Sequence, residues 1–202
     1  MSGDKRRWPY QEALAVASAL VEELESRCER IAIAGSLRRR KPTVGDVELV
    51  FVPKEVQRPA PGELFGEYTV PVDLVEERLQ ELLAAGVLEK RLSVKGRPSW
   101  GAQNRLAVHV ASGMPVDLFA TTSRCWHNYL VCRTGSAESN LRIAIAAQRM
   151  GWKWHPYADG FETRTGQWRR VTCEEDVFRL VGLPYLEPHE REAGNWKMTT
   201  AS

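Results

Sequence analysis

Two carboxylates one residue apart, Asp46 and Glu48, head the apolar run Val47-Glu48-Leu49-Val50-Phe51-Val52. On a strand this spacing sends both side chains to one face, leaving Val47 and Leu49 to pack on the other. Adjacent anions repel and raise one another's pKa unless a cation lies between them. Taken alone, the pair reads most simply as the wet face of a half-buried strand. The residues upstream change that reading. Ile31-Ala32-Ile33-Ala34 is a short β-like segment that stops at Gly35-Ser36, and Arg38-Arg39-Arg40-Lys41 lies between that turn and the carboxylates. Backbone N–H groups at a glycine turn opening a helix, a serine hydroxyl and an arginine fork form a cradle for a polyphosphate. The two carboxylates would hold the Mg²⁺ that a polyphosphate brings.

A third carboxylate has a strand of its own. Arg105 to Val110 alternates, Ala111-Ser112-Gly113-Met114 reads as a hairpin turn, and Pro115-Val116-Asp117-Leu118-Phe119 is the return strand. Asp117 points opposite to Val116 and Leu118. An ionised group inside an apolar strand needs a partner, although a solvent-facing position on an amphipathic strand is the simpler alternative.

At these residues the chain resembles the nucleotidyltransferase superfamily, whose signature is a strand, a Gly-Ser turn and an Asp-x-Asp/Glu on the next strand. It is most similar to the DNA polymerase X family, through Gly35-Ser36-Leu37-Arg38-Arg39 and Gly45-Asp46-Val47-Glu48, with Glu48 where the polymerases more often carry aspartate. Leu130 to Asn140, containing Thr134-Gly135-Ser136, resembles the family's turn and helix under the nucleotide. Cys173 to Pro188 resembles its final segment.

The resemblance implies nucleotide addition to a primer 3′-hydroxyl by a two-metal mechanism, with short-gap filling in DNA repair as the expected setting. Asp46, Glu48 and Asp117 become the catalytic carboxylates and the ligands of two Mg²⁺ ions, with Mn²⁺ as an alternative. Asp117 is the one placed to receive the hydroxyl proton. Gly35, Ser36, Arg38 and Gly45 are expected around the triphosphate. Arg133, Thr134, Gly135 and Asn140 are expected around the sugar and base, Asn140 at the minor-groove edge. Two positions depart from the family pattern: Cys132-Arg133 replaces a pair of aromatic residues that sense the sugar, and Ala137 replaces an acid beside the base. Arg142 is read only as a basic helix residue. The expected partners are gapped or primed DNA, a nucleoside triphosphate and repair proteins such as a ligase. Two other functions stay open: a template-independent nucleotidyltransferase, and a non-catalytic nucleic-acid-binding subunit.

The elements that must position these residues follow from pattern and resemblance together. The implied fold class is α+β: a polymerase beta-like palm with a mixed or antiparallel sheet backed by helices, then a small α+β C-terminal domain. The expected divisions are 1–122 for the palm, 123–191 for the nucleotide-selection domain and 192–202 for a flexible tail. Leu14, Ala17, Leu20, Val21 and Leu24 make an amphipathic helix of residues 10–27. Residues 53–61 read as a Pro-containing loop, 71–83 as a helix capped by Thr69 and stopped before Gly86, and 87–94 as a strand. Trp100 reads as a loop anchor, with base stacking as the alternative. Residues 141–150 read as a helix, 151–154 as its exit into a strand and 159–162 as a turn. Thr172 or Glu174 would cap a last helix whose apolar face is Val177, Leu180 and Val181. Fewer than ten residues precede the first helix, so no helix-hairpin-helix region is expected there.

Composition is compatible with this reading without generating it. The 202 residues are 43% hydrophobic and carry a net charge of +2, ordinary for a globular protein with one good core or two small ones. Charge is clustered at Lys5-Arg6-Arg7, Arg38 to Lys41, Arg91 with Lys95 and Arg97, and Arg169-Arg170; such clusters either follow a phosphate backbone or are solvated faces. The four cysteines and four histidines lack zinc-site spacing. Reduced thiols, no structural metal, no membrane contact, a monomer and an intracellular location, cytoplasmic or nuclear, are the expectations.

Overall fold

The structure, a computed structural model, describes residues 6–60, 68–93, 96–97 and 99–192. The expected tail beyond residue 192, together with Lys5, Val94 and Lys95, lies outside the described residues. After a short strand β1 (Trp8–Pro9), helix α1 runs Tyr10–Leu24 and ends in a 3-10 turn, Glu25–Arg27, matching the helical period read from the sequence. Ala13, Ala17, Leu20 and Leu24 recur every three to four residues and are buried. They pack on β2 (Cys28–Ile33) and β4 (Val47–Pro53). Between those strands lie the one-turn helix α2 (Gly35–Arg38) and β3 (Thr43–Val44), which pairs with β1.

A mixed five-stranded sheet has the order β2-β4-β9-β8-β7, with β7 at Leu88–Lys90, β8 at Asn104–His109 and β9 at Met114–Ala120. Strands β4 and β9 are parallel and the other neighbours antiparallel. The period of two divides this sheet into unlike faces. Val47, Leu49, Phe51, Val116 and Leu118 are fully buried in the first core, under α1 and α3 (Leu74–Ala84). Burying each such side chain contributes roughly 1.5–3 kcal/mol. On the opposite face Val50, Val52 and Phe119 pack with Trp126, Tyr129 and Leu130 of α4 (Trp126–Thr134). Asp46, Glu48 and Asp117 share the parity of that second face.

Several elements differ from the sequence reading. Residues 53–61 are not simply a loop, because β5 (Glu55–Pro59) pairs antiparallel with β6 (Thr69–Asp73). That pairing takes Thr69 into a strand and delays the helix to Leu74. Asp73 caps α3 instead, accepting from the N–H groups of Val75 and Glu76 at 2.8 and 3.0 Å. Its other oxygen accepts from Arg105, which is only 2% exposed, so the cap also ties α3 to β8. Trp100 is a loop anchor: its indole donates to Glu76 and its ring packs on the first core. The strand expected at 87–94 reduces to Leu88–Lys90.

The C-terminal part builds a second core. Helix α5 (Ala137–Arg149) starts four residues before the expected 141, because the Ser136 hydroxyl caps it by accepting from the Ser139 N–H. The turn expected at 159–162 stops at Asp159: β11 (Gly160–Glu162) is the central strand of a meander with β10 (Lys153–His155) and β12 (Trp168–Arg170). Phe161 is fully buried there with Ile143, Val131 and Phe178. Helix α6 (Glu174–Arg179) is not capped by Thr172 or Glu174. Asp176 in its first turn accepts from both the backbone N–H and the hydroxyl of Thr172, which closes the turn from inside.

Candidate active site

Each acidic side chain reaches the site because of strand register. Glu48 of β4 stands directly opposite Asp117 of the parallel neighbour β9, and Asp46 sits one residue before β4 with the same parity. Helix α4 packs on the apolar residues of this face, while Glu48 lies against Gly35 of α2 and, like Asp46 and Asp117, is only partly exposed. Burial first, then the charges of Asp46 and Asp117, push Glu48 up to about 8, against opposing pulls from Arg133 and Arg39. Burial also raises Asp117, partly offset by Arg91, whose Nη2 donates to Asp117 Oδ1 at 2.5 Å.

The Gly-Ser turn is built around Glu48. Gly35 has φ +61° and opens α2, and a Cβ on it would lie 1.8 Å from Glu48 Oε2. Only glycine accepts both that backbone conformation and that contact. The Ala34 N–H donates to the Glu48 carbonyl at 2.8 Å, which fixes α2 to the strand. Ser36 stands half-buried on the same short helix. Gly45 is different: a Cβ there would meet open space, so nothing inside the fold demands glycine.

The Arg38 to Lys41 run is engaged mainly by the C-terminal segment. Arg38 donates to both oxygens of Glu174, at 2.6 and 3.1 Å, and to the Thr134 hydroxyl at 2.8 Å. Arg39 bonds Glu192 and the Thr134 carbonyl, and Lys41 pairs with Glu192 at 2.8 Å. Arg38, expected at the triphosphate, thus makes an inter-element contact. The cause is Glu174. Burial would raise this carboxyl, but Arg38 and the fully buried Arg191 outweigh it and hold Glu174 below its ordinary range.

The remaining expected residues close the site from α4 and α5. Thr134 is buried and Gly135, at φ +62°, ends α4 beside Arg39. Arg133 lies with its guanidinium 3.6 Å from the Phe119 ring centre and near the Tyr129 and Tyr157 rings. Asn140 Nδ2 donates to the Cys132 carbonyl at 2.8 Å, while its Oδ1 is buried without a hydrogen bond. Arg142 pairs with Glu138 on its own helix.

Sequence reasoning missed Arg91, Arg39, Glu174 and Arg191. Arg91 was visible only as a member of a basic cluster, Arg39 as part of the Gly35 to Arg39 motif with no role assigned, and Glu174 only as a possible cap. No local signal in the sequence pairs Arg91 with Asp117, because their contact is made by strands brought together through β8.

Three carboxylates on one face are a hard-oxygen set suited to Mg²⁺. The charge repulsion that raises Glu48 is what a cation there would relieve. Among the described residues, no group of three or more His, Cys, Asp or Glu side chains is gathered closely enough to hold a metal by itself. An open arrangement of this kind suits an ion that keeps water and substrate oxygens in its shell. No described helix is long and apolar enough to cross a membrane.

Known proteins resemble this chain in sequence and in fold. The family model for the DNA polymerase beta thumb matches residues 129–192. DNA polymerase lambda of Rattus norvegicus is 28% identical over 173 residues, 78% of this chain and 28% of that protein. The DNA polymerase/3′-5′ exonuclease PolX of Bacillus subtilis is 25% identical over 195 residues, 93% of this chain and 29% of that protein. The chain thus spans under a third of the length of these curated relatives. Two structures of Leishmania infantum polymerase beta, ternary primer–template and gap complexes, superpose with TM-scores of 0.70 and 0.71 at 19% identity. Each superposition covers 93% of this chain, and the two cover 77% and 71% of the respective solved chains. At that identity the likeness establishes a shared fold.

Proposed function

We propose that this chain, a member of the DNA polymerase X family, catalyses nucleotidyl transfer from a nucleoside triphosphate to a DNA primer 3′-hydroxyl, filling short gaps. The observation that carries this reading is the register placing Glu48 beside Asp117 on parallel strands, with Asp46 on the same face. Asp46, Glu48 and Asp117 are the residues that would hold two Mg²⁺ ions. When bound, the ions supply charge neutralisation at the attacking and leaving oxygens.

The chain's own residues define the rest. Asp117 accepts the proton of the primer hydroxyl, and Arg91 holds its carboxylate in place. The Ser36 hydroxyl and the backbone at Gly35 and Gly45 bind the triphosphate, whereas Arg38 acts one step removed, anchoring Thr134 and Glu174. Arg133 and Asn140 line the sugar and base positions. Rate enhancement comes from in-line positioning and electrostatic stabilisation of the leaving pyrophosphate. The division into a palm of residues 1–122 and a nucleotide-selection domain of residues 123–191 is part of the same proposal.

Primer extension on a gapped duplex, an open template and a single strand, each with dNTPs and rNTPs in Mg²⁺ and Mn²⁺, tests it. Template-directed extension that fills the gap and is lost in Asp117→Ala is the expected result. Full activity of Asp117→Ala would refute the site. Extension that ignores the template base would replace the proposal with a template-independent transferase. DNA binding without any extension would replace it with a non-catalytic subunit.

A further inference from the structure

A second basic pocket, of about 290 Å³, opens at the other end of α4 from the carboxylates. The nine residues of α4 run from Trp126 at this end to Thr134 at the nucleotide end, roughly 12 Å apart at the helical rise. Three guanidinium groups converge on it from separate elements: Arg30 from β2, Arg124 from the segment before α4 and Arg170 from β12.

The charges here are not balanced. Asp159, with its side chain 9% exposed, takes the Nε of Arg124 at 2.7 Å and the Nε of Arg170 at 3.2 Å on a single oxygen. Held through Nε, both guanidinium groups keep their terminal amino groups as donors for another acceptor. Arg30 lies 5.9 Å from the Trp126 ring centre and is in no ion pair among the described residues. Of the neighbouring acids, Glu174 is held by Arg38 and Arg191, and Asp176 by Thr172 and Arg179, whereas Glu29 accepts from the hydroxyl of the pocket-lining Ser123 and keeps its charge at the rim. Three cations against Asp159 within the pocket and Glu29 at its rim leave a net positive charge facing a polar cavity.

We infer that this pocket binds a terminal or free phosphate group, whose negative charge and three unesterified oxygens suit the net positive charge and the arginine forks. Asp159 acts as the aligning group, fixing two of the three forks. The ligand is either the terminal phosphate of a nucleic-acid strand or free phosphate, which share this chemistry. Binding here does not depend on the transferase reading, because the pocket shares no residue with the carboxylate face.

Calorimetric titration of the full chain in EDTA at fixed ionic strength tests the inference. Three probes are used: inorganic phosphate, a 5′-phosphorylated oligonucleotide and its 5′-hydroxyl twin. Saturable binding of phosphate, weakened about tenfold or more by Arg30→Glu and less by Arg30→Gln, is expected. Neither variant breaks an ion pair within the described residues, so both should fold, as circular dichroism would report. Tighter binding of the phosphorylated strand than of its twin, lost in Arg30→Glu, assigns the ligand to a strand end. Binding of inorganic phosphate with no gain from the strand's terminal phosphate assigns it to free phosphate. No saturable binding, or binding indifferent to both Arg30 variants, overturns the inference. Equal binding of both oligonucleotides, equally reduced by Arg30→Glu, also overturns it, in favour of backbone diester contact.

Discussion

Replacing Glu48 by glutamine should stabilise the metal-free protein while abolishing its proposed chemistry. Glu48 is pushed from an ordinary 4.5 up to about 8 by burial and by its acidic neighbours. Its folded pKa lies above its unfolded one, so the fold retains a proton that the unfolded chain has released. Stability must then fall as pH rises from about 4.5 to about 8 and level off above. The full shift corresponds to about 5 kcal/mol. Because the side chain is partly open to water, a gain of about 2 kcal/mol at pH 8 is the expected share. Glutamine keeps the shape, removes the charge and offers Asp46 a donor. The assay is urea unfolding in EDTA at several pH values between 4.5 and 9. The gain of Glu48→Gln over the native chain should be near zero at the acid end and reach its plateau from about pH 8 upward. In Mg²⁺ it should shrink or reverse, since only the native site gains from the ion. A pH-independent difference, or a destabilised variant at pH 8, would refute the electrostatic account of this site.

Gly35→Ala should cost at least about 1 kcal/mol through the left-handed backbone alone and should displace Glu48, whose Oε2 would lie 1.8 Å from the new methyl carbon. Primer extension and urea unfolding should fall together, and native activity in this variant would contradict the geometry. Glu174→Ala leaves the fully buried Arg191 and the half-buried Arg38 without their carboxylate, and a loss of about 3 kcal/mol is expected. An unchanged denaturation midpoint would show that this network is idle. Asp73→Ala should lose about 1 kcal/mol as a cap and more through Arg105, whereas Asp73→Asn keeps the cap and loses only the ion pair. Faster amide exchange at Val75 and Glu76 in the alanine variant alone is the distinguishing signature.

Much of the site was legible in the sequence because its spacing is local. A period of two places Asp46 and Glu48 on one face whatever the strand pairs with, and glycine before serine at the end of an apolar segment marks the turn that Glu48 requires. The helical stripe of α1 and the hairpin carrying Asp117 are equally local, and the structure keeps both. The elements that differed are those decided by distant partners. Residues 55–59 became a strand only by pairing with 69–73, and Gly160 to Glu162 became a central strand because Phe161 fills a core shared with α5 and α6. The basic run shows the same division. Its four consecutive cations announce an anionic partner, but nothing local says that Glu174 and Glu192, more than 130 residues away, take three of them. The sequence by itself determined which carboxylates face the same way. Only the tertiary structure set Glu48 opposite Asp117, brought Arg91 onto Asp117 and gathered three arginines at the far end of α4, because each of those contacts is made between segments that touch only once the sheet and both cores have formed.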